Sequence, residues 1–376
     1  MFAKLGDHQN LFSKNVSTEQ DTYQIFVGSW NVGGVSPPDN LDLQDWLSNT
    51  YSNNPADIYV FGLQEIVPLN AGNVIVQENK KISQKWNSLF RAALNNKINK
   101  ETAVKAEFGN NKVVGDQLQK VYPVKEYYHD NNQQELFQCI IQKQMVGVYI
   151  SVWFRTDLFP YISHPSVSCV GCGFMGCLRN KGSVSIRFML HETSFCFVCS
   201  HLASGVKEGA QKHRNSNAAA ILSRTRFPCG PLHNLPQRIL DHNNVIWLGD
   251  LNYRIHLPDT ITQFLVERRE WSVLLEKDQL KVELMEGHIF QGWNEGEIKF
   301  PPTYKYLPNS GIYFGCDHER KLQKTRAPAW CDRIIWCGRG LNQNQYDRGE
   351  STLSDHRPVR AIFAAKVDVF KVFLRN

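Results

Sequence analysis

No run in this 376-residue sequence approaches the roughly 18 consecutive apolar residues that a membrane-spanning helix requires. The opening MFAKLGDHQNLFSKNVS lacks the apolar stretch of a secretory signal. Phe2 stands where N-myristoylation needs a glycine, and the last residues carry no prenylation box. These absences give the expectation of a cytoplasmic protein, any membrane contact being peripheral at the cytosolic face. Ten cysteines without a leader then read as reduced thiols. There is no internal repeat, no Pro- or Ser-rich linker and no long run of one charge. The net charge of +6 is too modest for a dedicated nucleic-acid binder. It suits an anionic substrate or membrane surface, and equally a solvated surface with a slight excess of Lys and Arg.

What is present is enough for a full core: 42% of residues are apolar and 11% aromatic. Short runs rich in Val, Ile, Phe and Trp recur along the chain, bounded by Gly, Pro and Asn. They are YQIFVGSW (23–30), DIYVFGLQE (57–65), QMVGVYISVWFR (144–155), SVSIRF (183–188), SFCFVCSHL (194–202), NVIWLGDLN (244–252), DRIIWCG (332–338) and VRAIFAA (359–365). Helical spacing marks WNSLFRAAL (86–94), and 259–280 holds at least one helix with Asp259 or Thr260 as its N-cap. Residues 95–135 are polar and read as an insertion or long surface connections. Strands outnumbering helices, and interspersed with them, predict two packed sheets flanked by helices.

Polar residues cluster at the ends of these strands. Asn31 closes GSWN before a Gly pair, where a plain turn is the ordinary explanation. Glu65 ends FGLQE; a carboxylate there is a salt bridge, a cap or a ligand, and with an amide oxygen it suits a hard cation such as Mg²⁺. His201 ends SFCFVCSH, a position that is often structural. Asp250 and Asn252 in WLGDLNYR are two apart, which places them on one face of an extended strand. There they can hold a water and a phosphoryl oxygen, or simply close the strand as an Asx-turn. Asp355 and His356 precede a strand in SDHRPV, and Asp332 starts one in PAWCDRIIW. Neighbours in sequence pair poorly, so Asp332 is the better orienting partner for His356.

In order, SWNVGG, GLQEIVPL, RNKGSVSIRF, SHLASG, WLGDLNYR, PPTYKY, RAPAWCDRIIW and SDHRPV resemble the inositol polyphosphate 5-phosphatases. These belong to the endonuclease/exonuclease/phosphatase superfamily with deoxyribonuclease I, and the compact chain looks most like the plant branch. The resemblance covers about residues 22–366. Residues 1–21 and 367–376 are then expected as tails around one catalytic domain. It implies an α+β, four-layer α/β/β/α sandwich, deoxyribonuclease I-like, with the site at one edge of the two sheets. It implies Mg²⁺ bound by Asn31 and Glu65, Asp250 as general base, and Asn252 orienting the water or a scissile-phosphate oxygen. His201 and His356 would contact the phosphoryl group, Asp332 would orient His356, and Asp355 would help order the site. Tyr304, Lys305, Lys324 and Arg326 match positions for a neighbouring 4-phosphate, with Asn180 and Lys181 also near the phosphates. The reaction implied is removal of the 5-phosphate from phosphoinositides such as phosphatidylinositol 4,5-bisphosphate, from soluble inositol 1,4,5-trisphosphate, or from both, ending a signal. Direct attack by water fits one further absence. No Cys is followed by Arg six positions on; after Cys172 that place is Leu178.

Three other readings compete. Cys169-x₂-Cys172 and Cys196-x₂-Cys199 admit a zinc-stabilised module, although an i, i+3 pair in a strand faces opposite sides. The same active-site core admits an endonuclease, against which PPTYKY and the absence of a long basic face both stand. A phosphoinositide-binding scaffold is the third, and the competent residues at every candidate position argue against it. Phe174, Met175 and Leu178, beside Arg179 and Lys181, admit either contact with lipid or core packing.

Overall fold

The computed structural model describes residues 15–47, 55–69, 80–95, 135–173, 179–229, 235–314 and 326–373. Twelve strands among these residues form two six-stranded mixed sheets. The first contains β1 (Asn15–Asn31), β2 (Ile58–Gln64), β3 (Phe137–Met145), β4 (Val148–Arg155), β11 (Leu341–Arg348) and β12 (Val359–Phe373), in the order β11-β12-β1-β2-β4-β3. The second contains β5 (Ile162–Gly171), β6 (Gly182–Leu190), β7 (Thr193–His201), β8 (Asn244–Asp250), β9 (Asn294–Glu295) and β10 (Asp332–Cys337), ordered β5-β6-β7-β8-β10-β9. Helices α1 (Gln44–Leu47) and α2 (Lys80–Asn95) cover the first sheet. On the outer face of the second lie α3 (Ala210–Arg224) and α6 (Gln279–Glu286), whereas α4 (Asp259–Glu267) and α5 (Trp271–Leu275) send Val266, Leu274 and Leu275 into the inter-sheet core.

Strand periodicity explains the layers. In β2 every residue is buried, because alternate side chains enter two different cores. Ile58 and Val60 face the gap between the sheets, while Tyr59, Phe61 and Leu63 face the helices. The second sheet repeats this in β8. There Ile246 and Leu248 enter the inter-sheet core, and Val245 and Trp247 pack outward with Ile221 of α3 and Leu280 of α6. Strands buried on both faces read as near-continuous apolar runs, which is why their sequences stood out.

Several boundaries differ from the sequence expectation. Residues 15–21 are not tail but the start of β1, paired antiparallel with 367–373, so the ladder runs from Asn15↔Phe373 to Ser29↔Val359. The run 144–155 is not one strand. It turns at Val146, which has φ of 51°, and forms the β3–β4 hairpin. The segment 259–280 divides into α4, α5 and the start of α6, and Pro258 rather than Asp259 or Thr260 precedes the first turn. Most of the polar stretch 95–135 lies outside the described residues, as do Phe174, Met175, Leu178 and Lys324.

Candidate active site

Each sheet contains one parallel pair, β1 with β2 and β7 with β8. Parallel neighbours end at the same rim, so the two pairs deliver four chain ends to one edge of the sandwich. Asn31 closes β1 and Glu65 follows β2. His201 and Asp250 close β7 and β8 as register partners. Antiparallel β10 starts at that rim, with Asp332 opposite Asp250. Within the second pair, Gly249 (φ 143°) lets β8 press against β7, for a Cβ there would collide with the carbonyl of Ser200.

The side chains converge. Asn31 Nδ2 donates to Asp250 Oδ2 at 2.9 Å and lies 3.5 Å from Glu65 Oε1. His201 Nε2 is 3.1 Å from Asp250 Oδ2 and 3.7 Å from Glu65 Oε1, and it touches the Lys181 ammonium. His356 Nδ1 meets Asp332 Oδ2 at 2.8 Å, and Thr303 Oγ1 donates to the same oxygen at 2.7 Å. Asn252 N donates to Asp250 Oδ1 at 3.1 Å. That contact is the Asx-turn, and it occurs within the site rather than instead of it. The same-face argument from strand spacing does not hold, however. β8 stops at Asp250, and Asn252 reaches the site from a left-handed turn with φ of 59°.

Burial by itself would raise the Asp250 pKa. The imidazoles of His201 and His356 and the Lys181 ammonium outweigh it and hold the carboxyl well below its ordinary range. Burial lowers His201, assisted by Lys181 and opposed by Asp250 and Glu65. Burial also lowers Lys181, against the pull of Asp250 and Glu65. For His356 burial would lower the pKa, but the carboxylates of Asp332, Asp250 and Asp355 raise it to about 9. The centre therefore holds an ionised carboxylate between two imidazoles whose pKa values are driven apart, His201 downward and His356 upward.

Glu65 and Asp250 direct two carboxylate oxygens at the Asn31 amide, and Glu65 keeps 28% side-chain exposure. An oxygen-only donor set that is open to water fits a hard divalent cation such as Mg²⁺. The Asn31 oxygen accepts from Gly33 N at 3.0 Å; a half-turn of the amide would face it toward the carboxylates instead.

Beside this centre lies the group expected to read the substrate. Tyr304 is a wall rather than an open ligand: it is 4% exposed, its ring lies 4.4 Å from that of His356, and its hydroxyl accepts from Arg326 Nη1 at 2.8 Å. Lys305 Nζ pairs with Asp355 Oδ2 at 2.7 Å. Lys181 belongs to the buried centre through His201, while Asn180 is half-buried with an Oδ1 that has no hydrogen-bond partner among the described residues.

The family model for endonuclease/exonuclease/phosphatase family 2 matches residues 28–362. A type IV inositol polyphosphate 5-phosphatase 9 of Arabidopsis thaliana is 54% identical over 349 residues, 92% of this chain and 78% of the relative. A type I inositol polyphosphate 5-phosphatase 8 of the same plant is 47% identical over 92% of this chain and 71% of its own. The chain belongs to the inositol polyphosphate 5-phosphatases. The family fold is met in a solved structure, the inositol polyphosphate 5-phosphatase domain of SPsynaptojanin in complex with inositol (1,4)-bisphosphate and calcium ion. That domain is 30% identical with a TM-score of 0.71, over 94% of this chain and 87% of its own. A Cimex nitrophorin, 18% identical with a TM-score of 0.62 over 92% of this chain and 99% of its own, shares the fold alone.

This inositol polyphosphate 5-phosphatase contains three site residues that sequence reasoning missed, all inside the motifs that carried the resemblance. Thr303 of PPTYKY anchors Asp332. Ser354 of SDH donates to Asn31 O at 2.6 Å and accepts from His356 N at 2.9 Å, tying the end of β1 to the loop before β12. Arg254 of WLGDLNYR donates from Nη2 to Asn252 Oδ1 at 2.7 Å. The zinc reading meets a direct obstacle. Cys196 packs outward against the helices and Cys199 inward between the sheets, so the two thiols cannot share an ion.

Proposed function

We propose that this phosphatase removes the 5-phosphate from a headgroup carrying adjacent 4- and 5-phosphates, with Mg²⁺ held by Asn31 and Glu65. Support comes chiefly from one observation: the Asn31–Glu65–Asp250–His201 cluster and the Asp332–His356 pair occupy one rim, with Arg326 and Lys305 next to it. When bound, Mg²⁺ supplies charge neutralisation to the phosphate oxygens. Asp250, ionised and buried, accepts the proton of the attacking water as general base. His356, cationic against Asp332, donates to the phosphoryl group as negative charge grows there. His201 donates to the phosphoryl group, and Asn252 holds a scissile-phosphate oxygen. Arg326 and Lys305 take the 4-phosphate, Lys305 exchanging Asp355 for it. Lys324 joins them by sequence position alone.

The headgroup is the same whether free, as in inositol 1,4,5-trisphosphate, or lipid-linked, as in phosphatidylinositol 4,5-bisphosphate. Acting on either would end a phosphoinositide signal in the cytoplasm, with peripheral contact at the cytosolic membrane face in the lipid case. The test is phosphate release by the purified protein, with Mg²⁺ or EDTA, from soluble inositol phosphates and from the lipids in vesicles. The expected result is Mg²⁺-dependent loss of the 5-phosphate only, and the two arms rank free against lipid-linked substrate. Cleavage of abasic DNA at matching rates, or no release from any member, would overturn it.

A further inference from the structure

Arg254 lies two residues beyond Asn252 and is 7% exposed. Its Nη2 donates to Asn252 Oδ1, while Nε and Nη1 make no hydrogen bond among the described residues. Its guanidinium carbon instead stands 4.6 Å from the centroid of the Tyr304 ring. Burial works against the charge, but neighbours including Tyr304 and Asp250 outweigh it and hold the guanidinium pKa above its ordinary value. The backbone around it is fastened separately. Arg254 N donates to Gln279 Oε1 at 3.0 Å, and Gln279 N returns a bond to Arg254 O at 2.9 Å. The same Gln279 oxygen accepts from Arg214 Nη2 at 2.7 Å, and Arg214 Nη1 reaches Gly205 O at 3.0 Å. The loops after β7 and β8 are thus already tied together through α6, so the guanidinium of Arg254 is not needed to hold its own turn.

Its consequence is for the amide of Asn252. A guanidinium only donates, so it selects the amide oxygen and fixes which end of the amide is which. Of the two N–H groups on Nδ2, one goes to Leu202 O at 3.2 Å. The other is the one donor of that side chain left for the reacting centre.

We propose that Arg254 is a positioning residue for phosphoryl transfer, holding Asn252 so that its amide presents an N–H, and not its oxygen, to the phosphate undergoing hydrolysis. Without Arg254 only the longer bond to Leu202 O opposes a turn of the amide that would place its oxygen against an anion. This inference rests on Asn252 contacting the scissile phosphate, as proposed above.

The experiment compares the parent, Arg254→Met, Arg254→Lys, Asn252→Ala and the Arg254→Met/Asn252→Ala double variant, by steady-state kinetics on inositol 1,4,5-trisphosphate. Hydrogen exchange of the Asn252 side-chain amide is followed by NMR without substrate. Arg254→Met is expected to lower kcat about tenfold to a hundredfold, as loss of a charged hydrogen bond would, with KM within about threefold. Adding Asn252→Ala should then cost less than about a further threefold, because the two residues act as one unit. Arg254→Lys should recover part of kcat, and the protected Asn252 amide of the parent should exchange freely in Arg254→Met. An unchanged kcat in Arg254→Met, independent multiplication of the two single effects, or persistent amide protection would each overturn the proposal. A parent that releases no 5-phosphate would defeat the reading of the reaction instead, and amide exchange would still decide whether Arg254 holds Asn252. If circular dichroism shows Arg254→Met unfolded, Arg254→Lys serves in its place, with partial loss of kcat and protection expected and parental values for both overturning the proposal.

Discussion

His201 and Asp250 close neighbouring parallel strands in register, and their side chains meet with Nε2 3.1 Å from Oδ2. The pairing is a consequence of topology. Parallel strands bring equivalent ends to one rim, and the second pair, β1 with β2, brings Asn31 and Glu65 to the same edge from the opposing sheet. Four short strand ends distant in sequence thereby become one buried charge system.

That system makes Asp250 replaceable in shape but not in charge. Asp250→Asn retains the volume and can still accept from Asn252 N, but loses the carboxylate. kcat should fall by about 10²–10⁴, the range for a missing general base. The thermal midpoint should fall as well, because a carboxyl held below its ordinary range by His201, His356 and Lys181 stabilises the folded protein in its ionised form. Full activity in Asp250→Asn would remove it as the base.

The Asp332–His356 pair predicts a pH dependence. His356 is raised from 6.5 to about 9 by its carboxylate neighbours, against burial that would lower it. A raised folded pKa contributes stability that is complete below 6.5 and lost as pH climbs through about 9. In the proposed mechanism the same proton is donated to the phosphoryl group, so turnover should decline along an alkaline limb near pH 9. Asp332→Asn takes away the largest stabilising charge and should move that limb to lower pH. A pH–rate profile of parent and variant checks it, and an unmoved limb would detach the limb from His356.

Much of this arrangement was legible before the fold was known, for identifiable reasons. β2 and β8 are buried on both faces and therefore read as unbroken apolar runs. Edge strand β11, LNQNQYDR, is half-exposed and polar, so no hydrophobic pattern marked it. The extension of β1 before residue 22 was hidden for the same reason, since it begins in the polar NVSTEQD, whereas its partner VDVFKVF in β12 does alternate and buries Val367 and Val369. Asn31, Glu65, His201 and Asp250 were visible because each ends an apolar strand. Thr303, Ser354 and Arg254 were not, because each acts on another polar side chain or backbone group, and such a relation has no one-dimensional signature.

Ser354 ties the two halves of the site, and its loss is a sharper test of assembly than of chemistry. Its hydroxyl is buried, donates to Asn31 O and accepts from His356 N. Ser354→Ala strands both groups, at a cost of about 1–3 kcal/mol in unfolding free energy. Denaturant unfolding should report that loss alongside reduced kcat. Unchanged stability would mean that water replaces the hydroxyl.

Substrate reading should separate from chemistry at Arg326. Arg326→Met removes a guanidinium that now rests on the Tyr304 hydroxyl. For a substrate bearing a 4-phosphate, KM should rise about tenfold or more, the scale of one charge-assisted hydrogen bond, with kcat changed far less. A substrate lacking the 4-phosphate should be indifferent to the variant. Equal losses on both substrates would place Arg326 in support of Tyr304 rather than on the substrate.

The cation site can be tested without turnover. Glu65 presents a carboxylate oxygen 3.5 Å from the Asn31 amide nitrogen, and a half-turn of that amide would set its oxygen beside Glu65 for a hard cation. A ligand that binds only the folded protein stabilises it by about 2.7 kcal/mol at a hundredfold excess over its Kd. Titrating Mg²⁺ into the phosphate-free protein should therefore raise the thermal midpoint along a saturable curve. Glu65→Gln keeps the length of the side chain and the backbone it stands on, but removes one charge, so the curve should shift to much higher Mg²⁺. Asn31→Ala should do the same by removing the amide oxygen. A parent-like titration in both variants would move the cation elsewhere at the rim, toward Asp250, Asp332 and His356, which each place a donor atom within 4.8 Å of the others. The two outcomes differ chemically. The first leaves Asp250 free to take the water's proton, and the second assigns its oxygen to the metal and requires another base.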